Sequence, residues 1–482
     1  MTGRLRTTAR AAIAQARGVP PPLVVMLLTI GSLYLAYRHA LPCADGAPEP
    51  DVLWRYACYN DIQPLYAGRG FSEGGLPYLD HDVEYPVLIG ALMAVVGLPV
   101  HALGTSGRLD PALRTLGFET VDEGLVFFWV TAALLVVGAL VTTWALLRCR
   151  PGRPWDVALW AVSPALVLES SINWDLLAVA LTSVALLAWT RGRPGWTGVL
   201  LGLGAAAKLY PLLIIGPLVL LCLRAGTPLA RRSAVRLVAS AVAAWSAVNV
   251  PVLVLDPGGW VHAYRFSQER WIDWGSFWFV IDQLGNGLGA GDLVRPLLGT
   301  VTSLNWSSLI LFLLACLGIA ALVRYAPQPP RVAAVAFLVV AAFLLTNKVW
   351  SPQFVLWLVP LAVLARPRWG WFLLWQAAEV TYLFSVMRAV LGERDGYALI
   401  QASGLRWLAV AVLAGFVVVE ALRPERDVVR PGEGLDPDAG ILRADDRPTD
   451  DRPAGDRPTG NRGDNGSTGR EGEDGVLRSS IP

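Results

Sequence analysis

The sequence predicts an all-α fold: a polytopic transmembrane helical bundle with a large first external loop that contains juxtamembrane helices. Three observations predict it. Of the 482 residues, 54% are hydrophobic and only 16% charged, and the mean hydropathy is +0.48. The apolar residues are gathered into many separate runs near the roughly 20 residues that cross a bilayer as a helix. Arginine clusters recur between these runs, as they do at cytoplasmic helix ends. Lipid offers backbone N–H and C=O groups no partners, and runs this continuously apolar do not alternate as barrel strands do, so the spans are helices. A net charge of +2 says nothing about nucleic acid; the expected partners are membrane lipids and no nucleic acid.

Arg4, Arg6, Arg10 and Arg17 precede the first run, 22–38. The positive-inside rule makes residues 1–21 a cytoplasmic N-terminus and turns the following loop outward. No small-residue cleavage site follows this run, which reads as a retained span. The run 85–103 poses a parity problem: if it crosses, Arg148, Arg150 and Arg153 fall outside. It is therefore read as a juxtamembrane helix, and 39–123 as one external region. Span 124–147 then runs inward, 155–171 outward, and 175–190 back to Arg191 and Arg193. Residues 197–223 lie between two basic clusters, so they must cross an even number of times. At about 1.5 Å per residue they cannot hold two full spans. A re-entrant hairpin of two short helices, broken near Lys208-Leu209-Tyr210-Pro211, meets both demands.

Span 233–255 exits into a second external loop, 256–292, whose Trp260, Tyr264, Trp271, Trp274, Trp278 and Phe279 suit an interfacial layer. Spans at 305–324, 331–346, 353–366, 369–388 and 398–421 complete a transmembrane domain over 22–422. They leave Asn347-Lys348 and Gly392 to Gly396 outside. Residues 423–482 include the repeat DDRPTDDRPAGDRPTG, which has little to bury, and read as a disordered cytoplasmic tail. Apart from this repeat there is no obvious internal duplication.

The five cysteines show no C-x-x-C or Cys/His spacing, which argues against a structural metal. Cys43 and Cys58 share one loop, where an oxidising compartment would allow a disulfide.

Ionisable groups near membrane depth are costly and point to function. Asp61 follows Asn60 in the first external loop, and Asp82 and Glu84 end that loop. Asn173 and Asp175 sit at an external turn one helical turn after Glu169. For Asp175 the structural alternative is an N-cap of the helix 176–190. Lys208, between Gly-Leu-Gly-Ala-Ala-Ala and Tyr210-Pro211, needs an anion, either a loop carboxylate or a substrate phosphate. Lys348 alone would read as a snorkelling interface residue.

Four stretches in this order resemble the GT-C superfamily of membrane glycosyltransferases, which use lipid-phosphate-linked sugars. They are the acidic first external loop running into EYPVL, SPALVLESSINWD, GLGAAAKLYP and NKVWSPQFVLWLVPL. The last three are similar to stretches of the mannosyltransferase that builds the glycosylphosphatidylinositol core. The chain up to about residue 422 resembles the actinobacterial polyprenol-phosphate-mannose-dependent group, glycosyltransferase family 87. The resemblance implies transfer of a sugar, mannose in that group, from a polyprenyl-phosphate donor to an extracytoplasmic glycolipid or glycan acceptor. It implies no cofactor and no metal. It places the base on Asp61, with Asp82 and Glu84 as runners-up, because the Asp-x-Asp pair of relatives is replaced here by Asn60-Asp61 and a separate Asp82-x-Glu84. Lys208, with Tyr210, is the expected phosphate site, assisted by Lys348 or Arg265. Asn173, Asp175, Gln353, His262 and Trp271 are the expected substrate contacts. The competing readings are a transporter or flippase for a lipid-linked sugar, since broken helices and buried charge also serve transport, and a non-catalytic subunit of an envelope-assembly complex.

Overall fold

A computed structural model describes residues 19–44, 48–109, 111, 122–392, 396–430 and 436–445. The arginines of the N-terminus before Val19, the turn residues 393–395 and the repeat within 446–482 lie outside the described residues. The described residues up to Asp445 form one compact unit. Among the described residues there is no strand, only an isolated bridge between Pro77 and His81.

The first span is α1 (Pro21–Ala40). The first external loop folds into α2 (Pro50–Tyr56) and α3 (Ile62–Gly68). It leads to α4 (Val87–Thr105), which at 19 residues is apolar and long enough to cross a membrane. The next long helix, α5 (Glu123–Cys149), has 27 residues and so spans about 40 Å. Asp122 caps its start by accepting from the Gly124 N–H, and Arg148 and Arg150 follow at its end. Its two ends therefore lie on opposite faces of any bilayer that it crosses.

The expected span 155–171 is not one helix. It is a turn of 3-10 helix at Pro154–Val157, then α6 (Ala158–Ala161) and α7 (Pro164–Leu168). Pro164 has no N–H to continue the ladder and disfavours helical backbone at Ser163, which is extended at ψ 127°. Next come α8 (Asp175–Thr190), α9 (Pro194–Ala207) and α10 (Tyr210–Ala225). The break at Lys208-Leu209 is the one expected from sequence. Helix α9 packs closely on α11 (Pro228–Leu255) because it presents glycines: a Cβ on Gly202 would stand 2.3 Å from the Ala241 carbonyl oxygen.

The second external loop carries α12 (Pro257–Glu269), α13 (Phe277–Gly287) and α14 (Gly291–Leu298). It is seated on the first loop at Gly259, where a Cβ would meet the Tyr78 carbonyl at 2.0 Å. The remaining helices are α15 (Val301–Tyr325), α16 (Val332–Thr346), α17 (Val355–Ala365), α18 (Trp369–Val390) and α19 (Gly396–Leu422). Helix α17 is buried all round and α16 nearly so, consistent with their uniformly apolar sequences and core positions.

The expectation of disorder from residue 423 onward is corrected for the described part of that segment. Asp438 is buried between Arg150, at 2.5 Å, and Arg331, at 3.3 Å, and Asp427 holds Arg331 at 2.6 Å. Burial of the two arginines demands carboxylates, which the C-terminal segment supplies.

Candidate active site

The four stretches singled out in sequence meet at one place. In the first loop, Asn60 caps α3: its Oδ1 accepts from the Gln63 N–H at 2.8 Å, while its Nδ2 donates to the Cys43 carbonyl at 2.9 Å. A Cys43–Cys58 disulfide closes the same loop. Because Asn60 does the capping, the Asp61 side chain makes no cap bond and is left for other work. The Asp61 N–H donates to the Ile172 carbonyl at 2.8 Å, which docks the loop on the SSINWD turn. Asp61 is partly buried. Burial pushes its carboxyl up to about 6, against the Lys208 ammonium and a hydrogen bond from Asn173, with Asp175 and Glu84 adding to the rise.

Asp175 is the first residue of α8, and no side-chain cap bond is made there, so the N-cap alternative does not hold. Instead its buried carboxylate accepts from the Trp357 indole N–H at 2.6 Å on Oδ1 and faces the Lys208 ammonium at 3.5 Å on Oδ2. Asn173 accepts from the Asp175 N–H at 3.2 Å. Lys208 ends α9 in extended backbone and is brought there by the helix break. Its ammonium sits 4.8 Å from the Tyr85 ring centre and 5.9 Å from that of Phe354, and aromatic faces attract a cation. Tyr210 stacks on Trp357 at 4.7 Å, and Phe354 stacks on Trp357 at 4.0 Å. Gln353, beside Phe354, is buried with an Oε1 that has no hydrogen-bond partner.

Other expected residues are placed differently. Glu84 is held by Arg69 through two hydrogen bonds, one of 2.8 Å between Nη2 and Oε1. Asp82 is exposed and lies 3.4 Å from His262. The Lys348 ammonium donates to the Gln268 and Arg270 carbonyls, each at 2.6 Å, and burial lowers its pKa to about 8, with Arg270 adding to the fall. It ties down the second external loop. Arg265 and Trp271 are exposed on and just after α12.

Sequence reasoning missed Trp357, Phe354 and Tyr85 as site residues, although each lies in a stretch already quoted. It also missed Arg406, which is fully buried. Arg406 pairs with Glu379 at 2.6 Å and donates to the carbonyls of Trp350, Ser351 and Pro352, so it fixes the backbone that presents Gln353 and Phe354. Among the described residues no group of three or more His, Cys, Asp or Glu side chains is placed to hold a metal ion.

No curated protein matches the chain. Among solved structures, the crystal structure of ArnT from Cupriavidus metallidurans bound to undecaprenyl phosphate is similar at 14% identity. The match covers 83% of this chain and 78% of that one, with a TM-score of 0.40. The family model of glycosyltransferase family 87 matches residues 111–347, the part of the chain that carries Asn173, Asp175, the α9–α10 break and Lys208. On that match residues 111–347 are those of glycosyltransferase family 87, and the chain is a multi-pass membrane glycosyltransferase.

Proposed function

We propose that the chain catalyses an inverting transfer of a sugar, mannose on its family resemblance, from a polyprenyl-phosphate donor to a glycolipid or glycan acceptor. Asp61 is the base and Lys208 the cation for the departing phosphate. The observation that carries this reading is the Lys208 ammonium, held at a break between two half-helices beside Asp175 and close enough to act on Asp61.

Asp61 takes the proton of the acceptor hydroxyl as that oxygen bonds to the anomeric carbon, and the bond from that carbon to the phosphate oxygen breaks. A base whose pKa lies near 6 is deprotonated at neutral pH and still basic enough to accept a proton. The leaving phosphate gains negative charge as the bond breaks, so a fixed ammonium stabilises the transition state more than the ground state. Glu84 is neutralised by Arg69 and Asp82 lies at the surface with His262, which favours Asp61 among the three carboxylates. Asn173 orients Asp61, and Gln353 offers an unused carbonyl oxygen to a sugar hydroxyl. On the second external loop lie Arg265, to assist at the donor phosphate, and His262 and Trp271, for contacts with substrate.

An apolar cavity of about 190 Å³ between α1 and α5, lined by Leu33, Tyr37, Trp129 and Leu176 and reaching Ser170 and Ser171, suits the isoprenoid chain. The Cys43–Cys58 disulfide favours an oxidising, extracytoplasmic side for the Asp61 loop. Both termini are then cytoplasmic.

The test is transfer of radiolabelled mannose from polyprenyl phosphate by purified protein in detergent. The Asp61→Asn variant is expected to lose activity by roughly 10²–10⁴-fold while keeping its thermal midpoint. Full activity in that variant overturns the assignment of the base. Wild-type transfer of another sugar but not of mannose overturns the donor sugar alone.

A further inference from the structure

A second charged site lies at the opposite end of α5 and α8 from Asp61 and Asp175. There a cavity of about 500 Å³ is lined by Arg148, Arg150, Arg153, Arg191 and Arg430, and among the described residues no acidic side chain lines it. Three of these arginines have carboxylates nearby: Arg150 pairs with Asp438, Arg153 with Asp156 at 2.6 Å, and Arg430 lies 3.8 Å from Asp427. Arg148 and Arg191 are exposed and have no carboxylate partner among the described residues. The Arg148 guanidinium lies 6.0 Å from the ring of Trp144, one turn earlier on α5, and Trp144 is exposed on the helix surface. A tryptophan and an arginine so placed are the pattern of a helix end at a membrane interface.

We propose that this cavity binds the phosphate of an anionic phospholipid headgroup from the leaflet opposite the candidate active site. Arg148 and Arg191 face one hollow with no carboxylate partner among the described residues, so an anion there offsets their charge, and guanidinium groups match phosphate oxygens in paired hydrogen bonds. The hollow is walled on one side by Val428, Val429 and Pro437 of the C-terminal segment, so its depth depends on the same segment that neutralises Arg150 and Arg331. Free phosphate shares the chemistry. The lipid is favoured because the cavity opens beside an interfacial tryptophan. The site is remote from the transfer chemistry, and its test does not depend on that reading.

Native mass spectrometry of the full chain in non-ionic detergent tests it, with short-chain phosphatidylglycerol, short-chain phosphatidylcholine and inorganic phosphate as probes. The expected result is one saturable phosphatidylglycerol per chain. Its affinity should fall roughly thirtyfold in an Arg148→Gln/Arg191→Gln variant and stay unchanged in Arg324→Gln, an exposed arginine outside the cavity. Phosphatidylcholine binding as tightly as phosphatidylglycerol, or a double variant binding like the wild type, overturns the site. Inorganic phosphate competing at equal concentration overturns the lipid assignment. Should the glutamine variant fail to fold, Arg148→Lys/Arg191→Lys replaces it, and unchanged affinity there refutes a guanidinium-specific site.

Discussion

Lys208→Met tests two roles proposed for this lysine, and a second substitution separates them. Among the described residues its ammonium is the only cation within ion-pair distance of Asp175, whose side chain is about 1% exposed. Removing it strands a buried carboxylate, a change that costs about 3–5 kcal/mol where buried pairs are broken. It also removes the charge offered to the leaving phosphate, and loss of one preorganised group of that kind slows catalysis by roughly 10²–10³-fold. The single variant should therefore melt lower and turn over more slowly, and neither effect alone assigns the role. Lys208→Met/Asp175→Asn removes the stranded charge and keeps an oxygen for the Trp357 indole. Its thermal midpoint in detergent should recover most of the loss, while the rate of mannose transfer stays down by the same 10²–10³-fold. The two measurements, midpoint and initial rate at saturating donor, are made on the same preparations. Activity restored along with stability in the double variant would show that Lys208 serves only to neutralise Asp175, and would sink the leaving-group role.

Three further outcomes follow from the geometry. Because burial holds the Asp61 carboxyl up at about 6 and the base must be deprotonated, kcat/KM should be full above that pH. It should fall about tenfold per unit below it; a flat profile from pH 5 to 8 counts against Asp61. Reduction of the disulfide, or Cys43→Ser/Cys58→Ser, frees a 15-residue loop and should lower stability by about 3 kcal/mol, read as a fall in the denaturation midpoint. It should also loosen the Cys43 carbonyl that braces Asn60. Asp438→Asn leaves Arg150 and Arg331 short of a carboxylate and should lower the midpoint by the equivalent of about 3–5 kcal/mol. Equal midpoints for Asp438→Asn and wild type would show that the C-terminal segment is not docked in solution.

Much of the site was legible because its signals are local. The helix break at Lys208 follows from Pro211 and the small residues before it, and the acid-rich first loop stands out between apolar runs. The roles within that set were less legible. Glu84, Asp82 and Asp61 are equivalent carboxylates in a string of letters. What separates them is Arg69 on Glu84, His262 beside Asp82, and Asn60 capping α3 in place of Asp61. Lys348, expected to assist at the phosphate, gives two of its three ammonium protons to backbone carbonyls.

By itself, then, the sequence determined the all-α membrane character, the rough limits of most long helices, and which polar stretches are out of place in lipid. Hydropathy and proline act over a few residues and do not depend on what packs against them. Only the tertiary structure decided that Asp175, Lys208, Tyr210, Phe354 and Trp357 share one site, and that residues 427–430 and 436–438 are docked and not loose. Each of these rests on contacts between groups up to nearly 300 residues apart, such as Arg150 and Asp438. In such contacts the cost of burying one charge is met by another that no local pattern identifies.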